Sequence, residues 1–200
     1  MKLFYSPTSP YVRKVMACAI ERQIERQIDL VTSNPWVSPP DLIAANPLSK
    51  VPCLITADGV ALFDSPVICE FLDTIENELP MFPGAGGARW RALKQQAMAD
   101  GILDAAVARR QEQAKPRDDA REAFMARQKA AIDRTIAELE REPPHKVPDI
   151  GSLSVACALG YLDFRFAGEP WRTAHPALAA WLESFRETPG IARTAPKDLT

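Results

Sequence analysis

The hydrophobic period of this 200-residue chain changes once, across Pro80-Met81-Phe82-Pro83-Gly84-Ala85-Gly86-Gly87. Before that stretch, short apolar segments of strand type alternate with runs at helical spacing; beyond it only the helical period remains. Lys2–Tyr5 predicts a strand, with Leu3 and Tyr5 on one face and Phe4 on the other. Val12, Val15, Met16, Ala19 and Ile20 predict a helix ending near Gln23, and Ile24–Val31 predicts a second strand. After a proline-rich connection, a short helix is expected about Leu42–Ala45. Val51–Thr56 and Val60–Phe63 form a hairpin around Asp58-Gly59, a pair that favours tight turns. Ser65–Asn77 predicts a helix with Val67, Ile68, Phe71, Leu72 and Ile75 on one stripe. The expected order is β-α-β-α-β-β-α.

Past the linker the sequence predicts helices over Arg89–Gln113, Asp118–Arg141, Asp149–Phe166 and Ala177–Arg186, with Pro116 separating the first two. Asp149 and Ser152 look like a helix cap, and Ala195–Thr200 is expected to fray. The domain reading is an α/β unit over residues 1–78, a linker over 79–87 and an all-α helical bundle over 88–200.

Two helix starts share one local logic. Ser9-Pro10 and Ser65-Pro66 each put a favoured N-cap serine before a proline, whose missing N–H would have had no partner there anyway. Each start leaves free backbone N–H groups and a partial positive charge, a setting for a thiolate or a carboxylate.

Other chemistries are excluded or left without support. A net charge of −2, with Lys and Arg scattered among acids, gives no footprint for nucleic acid. No apolar run is long enough to span a bilayer, and Met1–Ser6 leads straight into a strand pattern, so the expectation is a cytoplasmic protein without membrane contact. Cys18, Cys53, Cys69 and Cys157 include no C-x-x-C pair and sit in apolar contexts, which reads as small buried hydrophobes. Asp100 and Asp104 lie one turn apart on a common helix face, and no histidine accompanies them. No metal is expected.

Five segments in this order resemble the cytosolic glutathione S-transferase superfamily, and the likeness spans nearly the whole chain. They are Ser9–Lys14, Asn46-Pro47-x-x-Lys50-Val51-Pro52, Asp64-Ser65, Ala99–Ala106 and His175-Pro176-x-Leu178-x-x-Trp181. The nearest likeness is to bacterial serine-type transferase-like proteins. The resemblance implies a thioredoxin-like first domain that binds glutathione as co-substrate. It places Ser9 at the catalytic hydroxyl, with Tyr5 as the rival and Ser6 and Thr8 as further hydroxyls in the same loop. It implies a cis Val51–Pro52 bond whose residues pair with the cysteinyl backbone, and Lys50 near the glycyl carboxylate. Ser65 would take the γ-glutamyl carboxylate and Asp64 the ammonium, while Asp100 would reach that ammonium from the neighbouring subunit of a homodimer.

The implied activity is attack of the glutathione thiolate on a small electrophilic apolar co-substrate, seated between Pro7–Ser9 and the helix around Met98–Gln111, with a place in detoxification. Its alternatives are a glutathione-binding protein with little turnover, or a glutathione-dependent isomerase, dehalogenase or peroxidase. No cysteine lies between Pro7 and Pro10, so thiol–disulfide exchange lacks its nucleophile.

Overall fold

The computed structural model describes residues 1–75 and 80–196. Strand β1 (Lys2–Tyr5) pairs in parallel with β2 (Asp29–Thr32) and antiparallel with β3 (Cys53–Ile55). Strand β3 pairs antiparallel with β4 (Ala61–Leu62), giving the sheet order β2-β1-β3-β4. Helices α1 (Pro10–Glu21), α2 (Pro40–Ala45) and α3 (Ser65–Asp73) complete the thioredoxin-like arrangement expected from the sequence.

The second strand is shorter than expected. Ile24–Val31 was expected to be extended throughout, but Glu25–Gln27 is a 3-10 turn and only Asp29–Thr32 is strand. Gln23 adopts φ +56° and turns the chain sharply out of α1. Ile24 and Ile28 are both buried, a spacing of four that suits a helical turn and a strand face alike, whereas Leu30, expected on the same face, is exposed. Helix α3 ends at Asp73 with Thr74 as its C-cap, short of the expected Asn77. Asn77 itself, the boundary at 78 and residues 197–200 of the tail lie outside the described residues.

Five α-helices follow among the described residues: α4 (Gly87–Gln113), α5 (Asp119–Arg141), α6 (Ile150–Arg165), α7 (Pro176–Phe185) and α8 (Pro189–Arg193). Helix α6 is the axis of the core, buried at nearly every position from Ile150 to Leu162. Its start is closed reciprocally: Ser152 N–H donates to Asp149 and Asp149 N–H donates to Ser152 Oγ, at 2.7 and 2.9 Å. The expected Asp149–Ser152 cap is therefore a full capping box with its residue types exchanged.

Helix α8 had no sequence expectation. It docks on α1, where Gly190 N–H donates to Glu21 at 2.5 Å and Arg13 reaches Ile191 O at 3.4 Å. Next to Glu21 at the C-terminal end of α1, buried Arg22 donates to the carbonyls of Asp73 and Ile75 and ties α1 to α3. All four cysteines are free and buried, as their apolar contexts predict. No helix among the described residues is long and apolar enough to cross a membrane.

Candidate functional site

The register of the sheet brings three segments together. Phe4 lies opposite Cys53, so the end of β1 and the start of β3 are neighbours. Leu62 lies opposite Leu54, so the end of β4 reaches the same edge. The turn Ser6–Ser9, the pair Val51-Pro52 and the pair Asp64-Ser65 all stand just beyond those strand ends. Segments separated by more than fifty residues thus meet at one end of the sheet, beside the first turns of α1 and α3.

At the first segment, Ser9 Oγ accepts from Val12 N–H at 3.3 Å and caps α1. The cap uses the oxygen as acceptor only, which leaves the hydroxyl proton free to donate. Tyr5 packs partly buried against the cluster of Phe4, Val12, Leu42, Val51 and Cys53. Ser6 O accepts from Ser9 N–H at 3.1 Å and closes the turn.

At the second segment, the Val51–Pro52 bond is cis, as the resemblance implies, and Phe63–Asp64 is cis as well. Buried Asn46 shapes the approach, donating to Lys50 O at 2.9 Å and accepting from Leu48 N–H at 3.0 Å. That network fixes the Lys50 backbone while its side chain stays exposed. At the third segment the N-cap of α3 is Asp64 and not the expected Ser65. Asp64 makes no capping hydrogen bond, and Ser65, the first helical residue, is buried at 1% exposure. A plain cap would have used one of these side chains on the helix itself.

Two rungs join α1 to α4 beside this edge. Lys14, fully buried, sets its Nζ 2.6 and 2.9 Å from the two oxygens of Asp100. One turn earlier on α1, the Tyr11 hydroxyl donates to Asp104. Residues three apart on α1 thus meet residues four apart on α4, which is how facing helix surfaces register. Burial raises the Asp100 carboxyl above the ordinary carboxylate range against the pull of Lys14, and the charges of Asp104 and Asp64 add to the rise. Burial, then the bond to Asp104, holds the Tyr11 phenol far above its usual range and keeps it protonated.

Asp100 is therefore engaged within its own chain, through a partner that the sequence reading did not assign. Tyr11 and Lys14 were missed altogether. Their signal was the matched spacing of two donors on one helix and two acids on another. Tyr11, two residues after Ser9, bonds to Asp104 on the stretch of α4 that was expected to border the co-substrate. No grouping of three His, Cys, Asp or Glu able to hold a metal occurs among the described residues.

The family models described as the glutathione S-transferase N-terminal and C-terminal domains match residues 8–75 and 118–184. YibF of Escherichia coli K12, an uncharacterized GST-like protein, is 33% identical over 201 residues, covering 98% of each chain. A glutathione transferase family member from Pseudomonas fluorescens Pf-5, solved with bound glutathione, is 40% identical with a TM-score of 0.92. The match covers 98% of this chain and 99% of that one. A glutathione S-transferase from Methylobacillus flagellatus KT, also with glutathione bound, is 31% identical with a TM-score of 0.88, over 98% and 99% of the two chains.

Proposed function

Because the chain belongs to the glutathione S-transferase family, we propose that it binds glutathione across Ser9, Lys50, Val51-Pro52 and Asp64-Ser65 and presents the thiolate to a small apolar electrophile. The observation that carries this reading is the convergence of those segments at one end of the sheet, with the start of α3 left uncapped by any side chain. The Val51 backbone pairs with the cysteinyl residue as an added strand does, and Lys50 faces the glycyl carboxylate. Ser65 and the N–H groups at the start of α3 hold the γ-glutamyl carboxylate, and Asp64 faces the ammonium. Ser65→Ala should weaken glutathione binding by about 1–2 kcal/mol in isothermal titration, the effect of losing a charge-assisted hydrogen bond. Unchanged affinity removes Ser65 from the site.

Ser9 supplies the activating hydroxyl. A free thiol titrates near 8.5, so only a few per cent is thiolate at neutral pH. A hydroxyl donating to sulfur and the N-terminus of α1 both favour the charged form. Tyr5 is the weaker rival, being packed into the cluster beneath α1 and α2. In Ser9→Ala, the thiol of bound glutathione should titrate about one unit higher, or about 1.4 kcal/mol, read as thiolate absorbance against pH with glutathione affinity nearly unchanged. Loss of conjugation in Tyr5→Phe with retention in Ser9→Ala would transfer the role to Tyr5.

The working form is a homodimer, which the apolar side chains left exposed on adjacent helices support. Val67 on α3 and Trp90 on α4 are 45% and 69% exposed, on helices joined by the Arg89–Glu70 pair at 2.7 Å. Light scattering should give about 44 kDa, twice the 22.1 kDa chain. A 22.1 kDa species at micromolar concentration would exclude the dimer. For Asp100 to reach glutathione in the neighbouring subunit, its pair with Lys14 must open, and a monomer would end that role. The protein acts in the cytoplasm and in detoxification on this reading.

A further inference from the structure

Of the two rungs that join α1 to α4, only the inner one is closed to water. Lys14 of the inner pair is fully buried, whereas in the outer pair Tyr11 is half-buried and Asp104 exposed. An exposed hydrogen bond contributes little to stability, because water replaces either partner when it opens. The inner pair already ties the two helices, so the outer one can open at small cost. Tyr11 is the second residue of α1, on the turn that Ser9 caps and to which the glutathione reading brings the thiolate. Asp104 stands across from it on α4, and Val107, three residues further along the same face, is a part-buried apolar side chain. A co-substrate lying between the sulfur and α4 has that hydroxyl and that apolar side chain as neighbours.

The Tyr11 phenol keeps its proton, since burial and then the bond to Asp104 hold it far above its usual range. Such a group donates a hydrogen bond but is a poor giver of the proton itself. That property separates electrophiles by where their negative charge goes. Opening an epoxide leaves an alkoxide, which needs a proton outright, and displacing a halide leaves no charge on oxygen. Adding a thiolate to an α,β-unsaturated ketone leaves an enolate, whose oxygen needs only a hydrogen bond because its proton finally goes to carbon. A neutral carbonyl is a weaker acceptor than the Asp104 carboxylate, whereas an enolate oxygen competes with it as an anion. The hydroxyl is thus drawn off Asp104 as charge develops and not before, an interaction made in the transition state alone. Asp104, being exposed, is solvated in its place.

Resting on the glutathione reading above, we propose that Tyr11 is a further catalytic residue, whose hydroxyl turns from Asp104 to the carbonyl oxygen of an α,β-unsaturated ketone as the thiolate adds. The sulfur–carbon bond forms at the β-carbon, the alkene pair moves toward the carbonyl, and the carbonyl pair moves onto oxygen, where Tyr11 donates. Water then protonates the α-carbon. The hydroxide left behind neutralises the proton that the thiol released, so one thiol adds across one alkene.

Steady-state rates with benzylideneacetone and with iodomethane, at saturating glutathione, test this. In Tyr11→Phe the ratio of kcat for the enone to kcat for iodomethane should fall about tenfold, with KM for the enone nearly unchanged. The loss is smaller than for a free oxyanion donor because Asp104 is given up first. An equal fall with both electrophiles makes Tyr11 a structural residue, and an unchanged ratio removes it from the reaction; either result overturns the proposal. Asp104→Ala removes the competing acceptor, so kcat for the enone should not fall. A fall matching that of Tyr11→Phe means that the phenol acts only by tying α1 to α4, which also overturns the proposal. Glutathione titrations separate this outcome from the parent reading. A wild-type chain that binds no glutathione, or binds it and turns over neither electrophile, refutes the transferase itself, whereas turnover of both with an unchanged ratio refutes Tyr11 alone.

Discussion

Asp100→Ala should cost the folded chain about 3 kcal/mol or more, because it strands a buried ammonium. Lys14 is 0% exposed, and both of its short contacts go to the carboxylate that this variant deletes. At about 2–4 °C per kcal/mol for a chain of this size, thermal unfolding should move down by about 6–12 °C. The raised carboxyl of Asp100 sharpens the expectation, since it means that burial outweighs the attraction of Lys14. Removing both charges should then be far milder than removing one, and Lys14→Met combined with Asp100→Leu should recover most of the lost stability. A double variant as unstable as the single one would refute the pairing argument. The same shift sets a pH dependence. Because the folded state holds the Asp100 proton to higher pH than the unfolded state, stability falls as pH rises from the ordinary aspartate value through the raised one. In Asp100→Asn this component should vanish from a series of urea unfolding curves.

Gly151→Ala should cost about 2 kcal/mol, within the range for overpacking a close contact. A Cβ at Gly151 would stand 2.6 Å from the carbonyl oxygen of Ala92, 2.9 Å from its Cα and 2.9 Å from Gln95 Cβ. Two of those atoms are backbone, so the contact is relieved only by moving α6 away from α4. The effect should extend to the site, because α4 carries both Asp100 and Asp104 and their bonds to α1 depend on its placement. Gly101→Ala is the control. It lies on α4 with nothing within 4 Å of the added atom, and should stabilise by about 0.5–1 kcal/mol through helix propensity alone. Urea midpoints and glutathione titrations on the pair separate the two mechanisms. If Gly151→Ala also gains stability, the two helices are not in rigid contact there.

Most of the elements depend on local chemistry, and the sequence alone carried those, though not α8. Ser9-Pro10 and Ser65-Pro66 mark helix starts, Asp58-Gly59 marks a hairpin, and the Pro–Gly stretch after residue 79 marks where the strand period ends. The buried cysteines and the closure of Asp149 on Ser152 were legible for the same reason, since both are set within a few residues. Where a local signal fitted two periods, it misled. Ile24 and Ile28 suit a strand alternation only if Gln23 does not turn the chain, and the left-handed φ of Gln23 could not be read from its neighbours. The residues proposed for glutathione were named from motifs, but their convergence depends on the register of β1, β3 and β4. Lys14 with Asp100 and Tyr11 with Asp104 stand 86 and 93 residues apart, and Arg109 with Glu169 stand 60 apart. Such pairs form only where two packed helices or a returning loop bring the side chains together and exclude water. That is a property of the tertiary structure, because neither side chain has a partner until the fold supplies one.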